Sequence, residues 1–173
     1  MLKSVLKAVL FDLDGTLADT DPLHLLAWRE VLAPYGLKVD PAFYRERISG
    51  RLNPEIVYAL FAYSPGGAPK ENARHVLEAL GLRPPLLVLA EAVGRGKPDP
   101  LPYQLALRRL GVAPEEALAF EDSPSGVRSA VGAGIPTYGL LTGHEAEALI
   151  REGASGVIRN FTEFAWPEYT SEK

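Results

Sequence analysis

Apolar and polar positions along this chain fall into two different rhythms, and the rhythms divide it. Residues 5–11 are a short, almost continuous apolar run that ends on the acidic "DLDG" at 12–15, the signature of a strand buried on both faces. Asp21-Pro22 then opens a helix carrying Leu25, Leu26, Val31 and Leu32 and stopping at Gly36, because an Asp cap followed by proline is a favoured helix start. Asp40-Pro41 opens a second helix ending near Gly50, and Asn53-Pro54-Glu55 a third. Ser64-Pro65-Gly66-Gly67 reads as a linker. Beyond it, helices at 69–80, 100–110 and 124–132 alternate with short apolar strands at 86–90, 117–120 and 136–141. Such alternation implies an α/β fold: a Rossmann-like parallel sheet with helices on both faces, and a small helical cap inserted after the first strand. The core is expected at residues 1–17 and 65–173 and the cap at 18–64, shortened.

Composition narrows the function classes. An apolar share of 47% in 173 residues is enough for a proper core. A net charge of −4 with no basic block argues against nucleic acid as a partner. No segment is long enough to span a bilayer, and the N-terminal "MLKSVLKAVL" lacks a cleavage site, so a cytoplasmic protein without a membrane partner, monomer or homodimer, is expected. With no cysteine, disulfides and thiolate metal sites are excluded.

The chemistry lies at strand ends. Alternation places residues i and i+2 of a strand on one face, so Asp12 and Asp14 can converge, unless the chain is already turning at Asp14 and Gly15. The strand at 117–120 ends on a second acid pair, Glu121-Asp122, which opens onto the same crevice if the strands are parallel. Four carboxylates at one edge need a cation, and Mg²⁺ is the usual one where phosphate is handled. "GRGKPDP" at 94–100 adds Lys97, in place to neutralise an anionic substrate or a phosphoryl intermediate.

Together "FDLDGTLADT", "GRGKPDP" and "AFEDSPSGVRSAVGAG" resemble the haloacid dehalogenase superfamily, in its β-phosphoglucomutase-like phosphatase and mutase branch. The resemblance implies a Mg²⁺-dependent phosphoric monoester hydrolase acting on a small phosphorylated metabolite. It makes Asp12 the nucleophile that forms an aspartyl phosphate, Asp14 the general acid and then base, and Lys97 the charge partner. Mg²⁺ would be held by Asp12, the backbone carbonyl of Asp14, Asp122 and Glu121. Gly15, Thr16, His24 and Arg51 are implied as substrate-binding residues, Trp28 as packing, and His144 as a surface residue. Two alternatives stay open, a sugar-phosphate mutase and a non-catalytic phosphate- or metal-binding domain. The second is favoured by one departure: where the family has a strand ending on Ser or Thr, this chain has Gly66 and Gly67. Ser64, the nearest hydroxyl, is expected to end a cap helix and to take no part in phosphate binding.

Overall fold

The computed structural model describes residues 5–49, 77–78, 81–89 and 93–166. Helices form at two of the starts announced by proline, Asp21-Pro22 and Asp40-Pro41, although Thr20 and not the expected Asp21 stands in the cap position of the first. Helix α1 spans Asp21–Leu32 with Pro22 in its first turn, continues through a 3-10 turn at Ala33–Tyr35, and ends at Gly36 in the left-handed region (φ 74°). Its N-cap, Thr20, makes no side-chain capping bond, because its hydroxyl is given to Asp14 at 2.6 Å. Helix α2, Pro41–Arg47, is capped conventionally: the Asp40 carboxylate accepts from the Phe43 amide at 2.8 Å. The two helices share a core of their own, built from Leu32, Val39, Tyr44 and Ile48, with Leu25 and Trp28 packed against it.

The sheet has four parallel strands in the order β1 (Ala8–Phe11), β2 (Ala117–Glu121), β3 (Thr137–Leu140) and β4 (Gly156–Ile158). Alternation sorts its two faces. Ala8, Leu10, Ala117 and Ala119 pack with Tyr103 and Leu107 of α3 (Leu101–Leu110) and Ala130 of α4 (Pro124–Gly132). The alanines of β2 are short, so the helices sit close and leave room for the Tyr103 ring. On the opposite face Leu118, Phe120, Leu140 and Val9 meet an aromatic segment near the end of the described chain. There the fully buried Phe120 ring has Phe161 and Phe164 edge-on at 5.1 and 5.0 Å between centroids. Helix α5 (Ala146–Arg151) packs Leu149 over β3, where a Cβ at Gly139 would stand 2.7 Å from a Leu149 methyl.

The parallel α/β architecture agrees with the sequence reading, as do β1, β2, β3 and helices α1 to α4 to within a few residues. One expected strand does not form as such: residues 86–89 are half-buried but belong to no ladder among the described residues. A continuous apolar run reports burial, and burial does not distinguish a strand from a packed loop. The linker at 64–67, the helix opened by Asn53 and most of the expected helix at 69–80 lie outside the described residues. No helix among the described residues is long and apolar enough to cross a membrane.

Phe120 anchors the aromatic face, so Phe120→Ala is expected to cost about 3–5 kcal/mol, as full truncation of a buried ring does. Urea unfolding checks this, and a loss under about 1 kcal/mol would mean that the aromatic segment repacks without it.

Candidate active site

Register brings the acids together. Phe11 pairs with Phe120, and the ladder continues one step further as the Asp12 amide donates to the Phe120 carbonyl at 3.0 Å. Asp12 therefore leaves β1 at the level where β2 ends on Glu121 and Asp122, at the carboxyl edge of the sheet. One carboxylate oxygen from each of Asp12, Glu121 and Asp122 lies within 4.8 Å of the others.

Lys97 enters this cluster from the loop before α3. Its ammonium donates to Asp12 Oδ1 at 2.5 Å and also binds Glu121 Oε1. The loop is held by Asp99, whose side chain caps α3 through the Leu101 amide (2.9 Å) and whose carbonyl accepts from Ser129 Oγ of α4 (2.6 Å). Glu121 Oε1 takes a further bond from the buried Tyr103 hydroxyl at 2.5 Å, while Oε2 has no partner among the described residues. Behind Glu121 lies Gly126 of α4, where a Cβ would stand 1.9 Å from Oε2, so only glycine leaves the carboxylate its room.

The electrostatics are unbalanced. Burial, then Asp12 and Glu121, push the Asp122 carboxyl up to about 9. Burial and Asp12 push Glu121 up to about 7, with Lys97 and Tyr103 pulling the other way. Burial alone would lower the Lys97 ammonium, but Asp12 and Glu121 override it and hold it well above the ordinary lysine range. Burial and Glu121 likewise raise the Tyr103 phenol, which stays a donor. Three carboxylates face one ammonium, and hard oxygen donors with surplus negative charge are a donor set that suits Mg²⁺.

Asp14 goes elsewhere. The chain turns directly after Leu13, with the Gly15 amide bonded to the Ala18 carbonyl (2.7 Å) and the Gly15 carbonyl accepting from Thr142 Oγ1 (2.5 Å). Gly15 has φ 74°, and a Cβ there would stand 2.3 Å from Asp122 Oδ2, so backbone angle and space both demand glycine. The two aspartates of "DLD" therefore take different side-chain partners, and only Asp12 belongs to the three-acid cluster. Asp12 faces Lys97, whereas Asp14 accepts from Thr20 and has His24 Nε2 at 3.9 Å. Thr16 is buried with its hydroxyl unpartnered among the described residues. Trp28 packs in the helical core as expected, and Arg51 lies outside the described residues.

His144 is a correction: it is half-buried, with Nδ1 3.1 Å from the Asp122 carbonyl, because the turn 141–144 folds back beneath the acid cluster. Sequence reasoning also missed Tyr103, Thr142, Thr20, and the pair in which Tyr44 donates to Asp21 at 2.8 Å. Only Tyr103 left a signal, being a polar tip on the apolar face of α3, six residues after Lys97.

A sequence model of haloacid dehalogenase-like hydrolases matches residues 57–134. Validoxylamine A 7'-phosphate phosphatase of Streptomyces hygroscopicus subsp. limoneus is 30% identical over 208 aligned positions, covering 93% of this chain and 97% of that one. The chain belongs to the haloacid dehalogenase-like hydrolases. A phosphorylated carbohydrates phosphatase of Thermotoga maritima is 29% identical, covering 89% of this chain and 94% of its own. Among solved structures, CbbY of Rhodobacter sphaeroides in complex with phosphate is 27% identical with a TM-score of 0.64, covering 92% and 96% of the two chains. β-Phosphoglucomutase from Clostridium difficile has a TM-score of 0.78 over 94% of each chain at 20% identity, a likeness of fold. As a haloacid dehalogenase-like hydrolase with named phosphatases among its relatives, the protein is a phosphoric monoester hydrolase.

The crowding in this site has a direct consequence for metal-free protein. Folded, Asp122 keeps its proton up to about pH 9, whereas an unfolded aspartate loses it near about 3.9. Between those values the folded state binds more protons, so stability falls as pH rises, and Glu121 acts in the same direction. Asp122→Asn is expected to raise Tm in divalent-free buffer, by a margin that widens from about pH 5 towards pH 9. Thermal denaturation across that range checks it, and an equal or lower Tm throughout would contradict the raised proton affinity of the buried Asp122 carboxyl.

Proposed function

We propose that this protein hydrolyses a small phosphorylated metabolite, with Mg²⁺, through a phosphoryl group carried on Asp12. The observation that carries the reading is the Lys97 ammonium 2.5 Å from Asp12 Oδ1, in a cluster completed by Glu121 and Asp122. An Asp12 carboxylate beside an ammonium is screened from repelling a phosphate dianion.

Asp12 attacks phosphorus, and the bond from phosphorus to the leaving oxygen breaks. Asp14, whose carboxylate accepts from Thr20 Oγ1, delivers a proton to that oxygen. It then takes a proton from the water that attacks the aspartyl phosphate, releasing phosphate and restoring Asp12. Lys97 balances the charge on Asp12 and on the phosphoryl oxygens throughout. Asp12, Asp122, the Asp14 carbonyl and Glu121 would hold Mg²⁺, which neutralises phosphate charge when bound.

Gly15 and Thr16 lie in the turn beside Asp14 and are read as phosphate-side contacts; His24 and Arg51 are read as contacts to the rest of the substrate. Residues 18–64 act as a cap over the core formed by 1–17 and 65–173, and the separate apolar core of α1 and α2 supports that division. The cap is read as short; the alignment with the Streptomyces phosphatase runs over 208 positions against a chain of 173, so part of that relative has no counterpart in this chain.

Asp12→Asn is expected to lower kcat on an aryl phosphate by well over roughly a hundredfold, since a positioned acid–base group alone carries about 10²–10⁴. Mg²⁺ binding should only weaken in that variant. Residual activity above a hundredth would remove the nucleophile assignment, on the same scale. Chelation with EDTA should abolish wild-type turnover and added Mg²⁺ restore it; undiminished activity in EDTA would remove the metal from the reaction.

A further inference from the structure

Tyr103 is a buried side chain with a polar tip beside the site, and it has no part in the reaction as set out above. Its ring sits in the apolar cluster of Leu107, Ala117, Ala119 and Ala130, a position that phenylalanine would fill equally well. A hydroxyl buried there costs free energy unless it is bonded, and its bond goes to Glu121 Oε1 at 2.5 Å. Glu121 is itself fully buried and has Gly126 packed close behind Oε2. The oxygen that Tyr103 grips is the same oxygen that binds Lys97.

We propose that Tyr103 is a positioning residue: through Glu121 it sets where the Lys97 ammonium stands relative to Asp12. The inference rests on the phosphoryl-transfer reading for its kinetic consequence, and on geometry alone for its structural one. Two effects act together. The phenol fixes the rotation of the Glu121 carboxylate, so Oε1 and not Oε2 faces Lys97. It also occupies part of the accepting capacity of that oxygen, so the ammonium is shared between Glu121 Oε1 and Asp12 Oδ1 and not held by Glu121 alone. A chain with phenylalanine here would retain the packing and lose both.

Tyr103→Phe separates this role from packing, since only the hydroxyl is removed. Removal of one hydrogen bond to a charged group is expected to lower kcat for an aryl phosphate by about tenfold, with KM within about twofold. A second measurement needs no turnover: in protein carrying isotope-labelled lysine, the Lys97 ammonium resonance is expected to shift or broaden in Tyr103→Phe. Glu121→Leu, which removes both carboxylate oxygens, tests the link from the other side. In that background Tyr103→Phe should change neither kcat nor the Lys97 resonance further, because the path through Glu121 is already cut. An unchanged kcat, an unmoved resonance, a rise confined to KM, or full additivity with Glu121→Leu would each overturn the proposal. Absence of Mg²⁺-dependent hydrolysis in the wild type would instead defeat the function reading, and the Lys97 resonance would still decide the role of Tyr103.

Discussion

Three carboxylates and one ammonium meet at the carboxyl edge of two adjacent parallel strands, and much of the surrounding structure serves to keep them there. Like charges at this spacing repel, and burial makes the repulsion worse because little water screens it. Asp122 responds by holding its proton up to about pH 9. Lys97 relieves part of the strain, since it lies against both Asp12 and Glu121. The remainder calls for a positive charge from outside the chain. A site that is poorly balanced when empty is well matched to a substrate and cation that arrive with charges of their own.

Space around the cluster is made by residues that are small. Gly15 and Gly126 each stand where a single methyl group would overlap a carboxylate, one beside Asp122 and the other beside Glu121. The short alanines on β2 let α3 approach until Tyr103 reaches Glu121. Side chains remote in sequence then tie the loops in place. Thr142 holds the turn after Asp12 by its Gly15 carbonyl, and Ser129 holds the Lys97 loop by the Asp99 carbonyl. Each tie uses a backbone carbonyl, so each constrains the path of the chain itself.

Much of this was legible in the residues. Proline placed the starts of α1 and α2, with an aspartate cap at α2 only, and apolar runs ending in acids placed β1 and β2 with the crevice between them. The convergence of Asp12 with Glu121, Asp122 and Lys97 followed from parallel pairing, which alternating helices and strands imply. The direction of Asp14 was not legible: a period of two puts it beside Asp12, and only the turn at Gly15 sends it to Thr20. β4 escaped notice because three residues, Gly156–Ile158, carry too short a pattern to register. His144 was misplaced for a related reason, since helix-start chemistry says nothing about a turn folding back under the strand ends.

The central claim is that the acid cluster is built for a divalent cation, and thermal denaturation as a function of Mg²⁺ tests it most directly. Ligand bound only by the folded state stabilises it by about RT ln(1 + [L]/Kd), so Tm at pH 8 should climb and then track the logarithm of Mg²⁺ concentration. Asp122→Asn should flatten that dependence, and Ca²⁺ or Mn²⁺ should reproduce the effect where Na⁺ at equal ionic strength does not. A Tm indifferent to Mg²⁺ in the wild type, or a climb that persists undiminished in Asp122→Asn, would contradict the account.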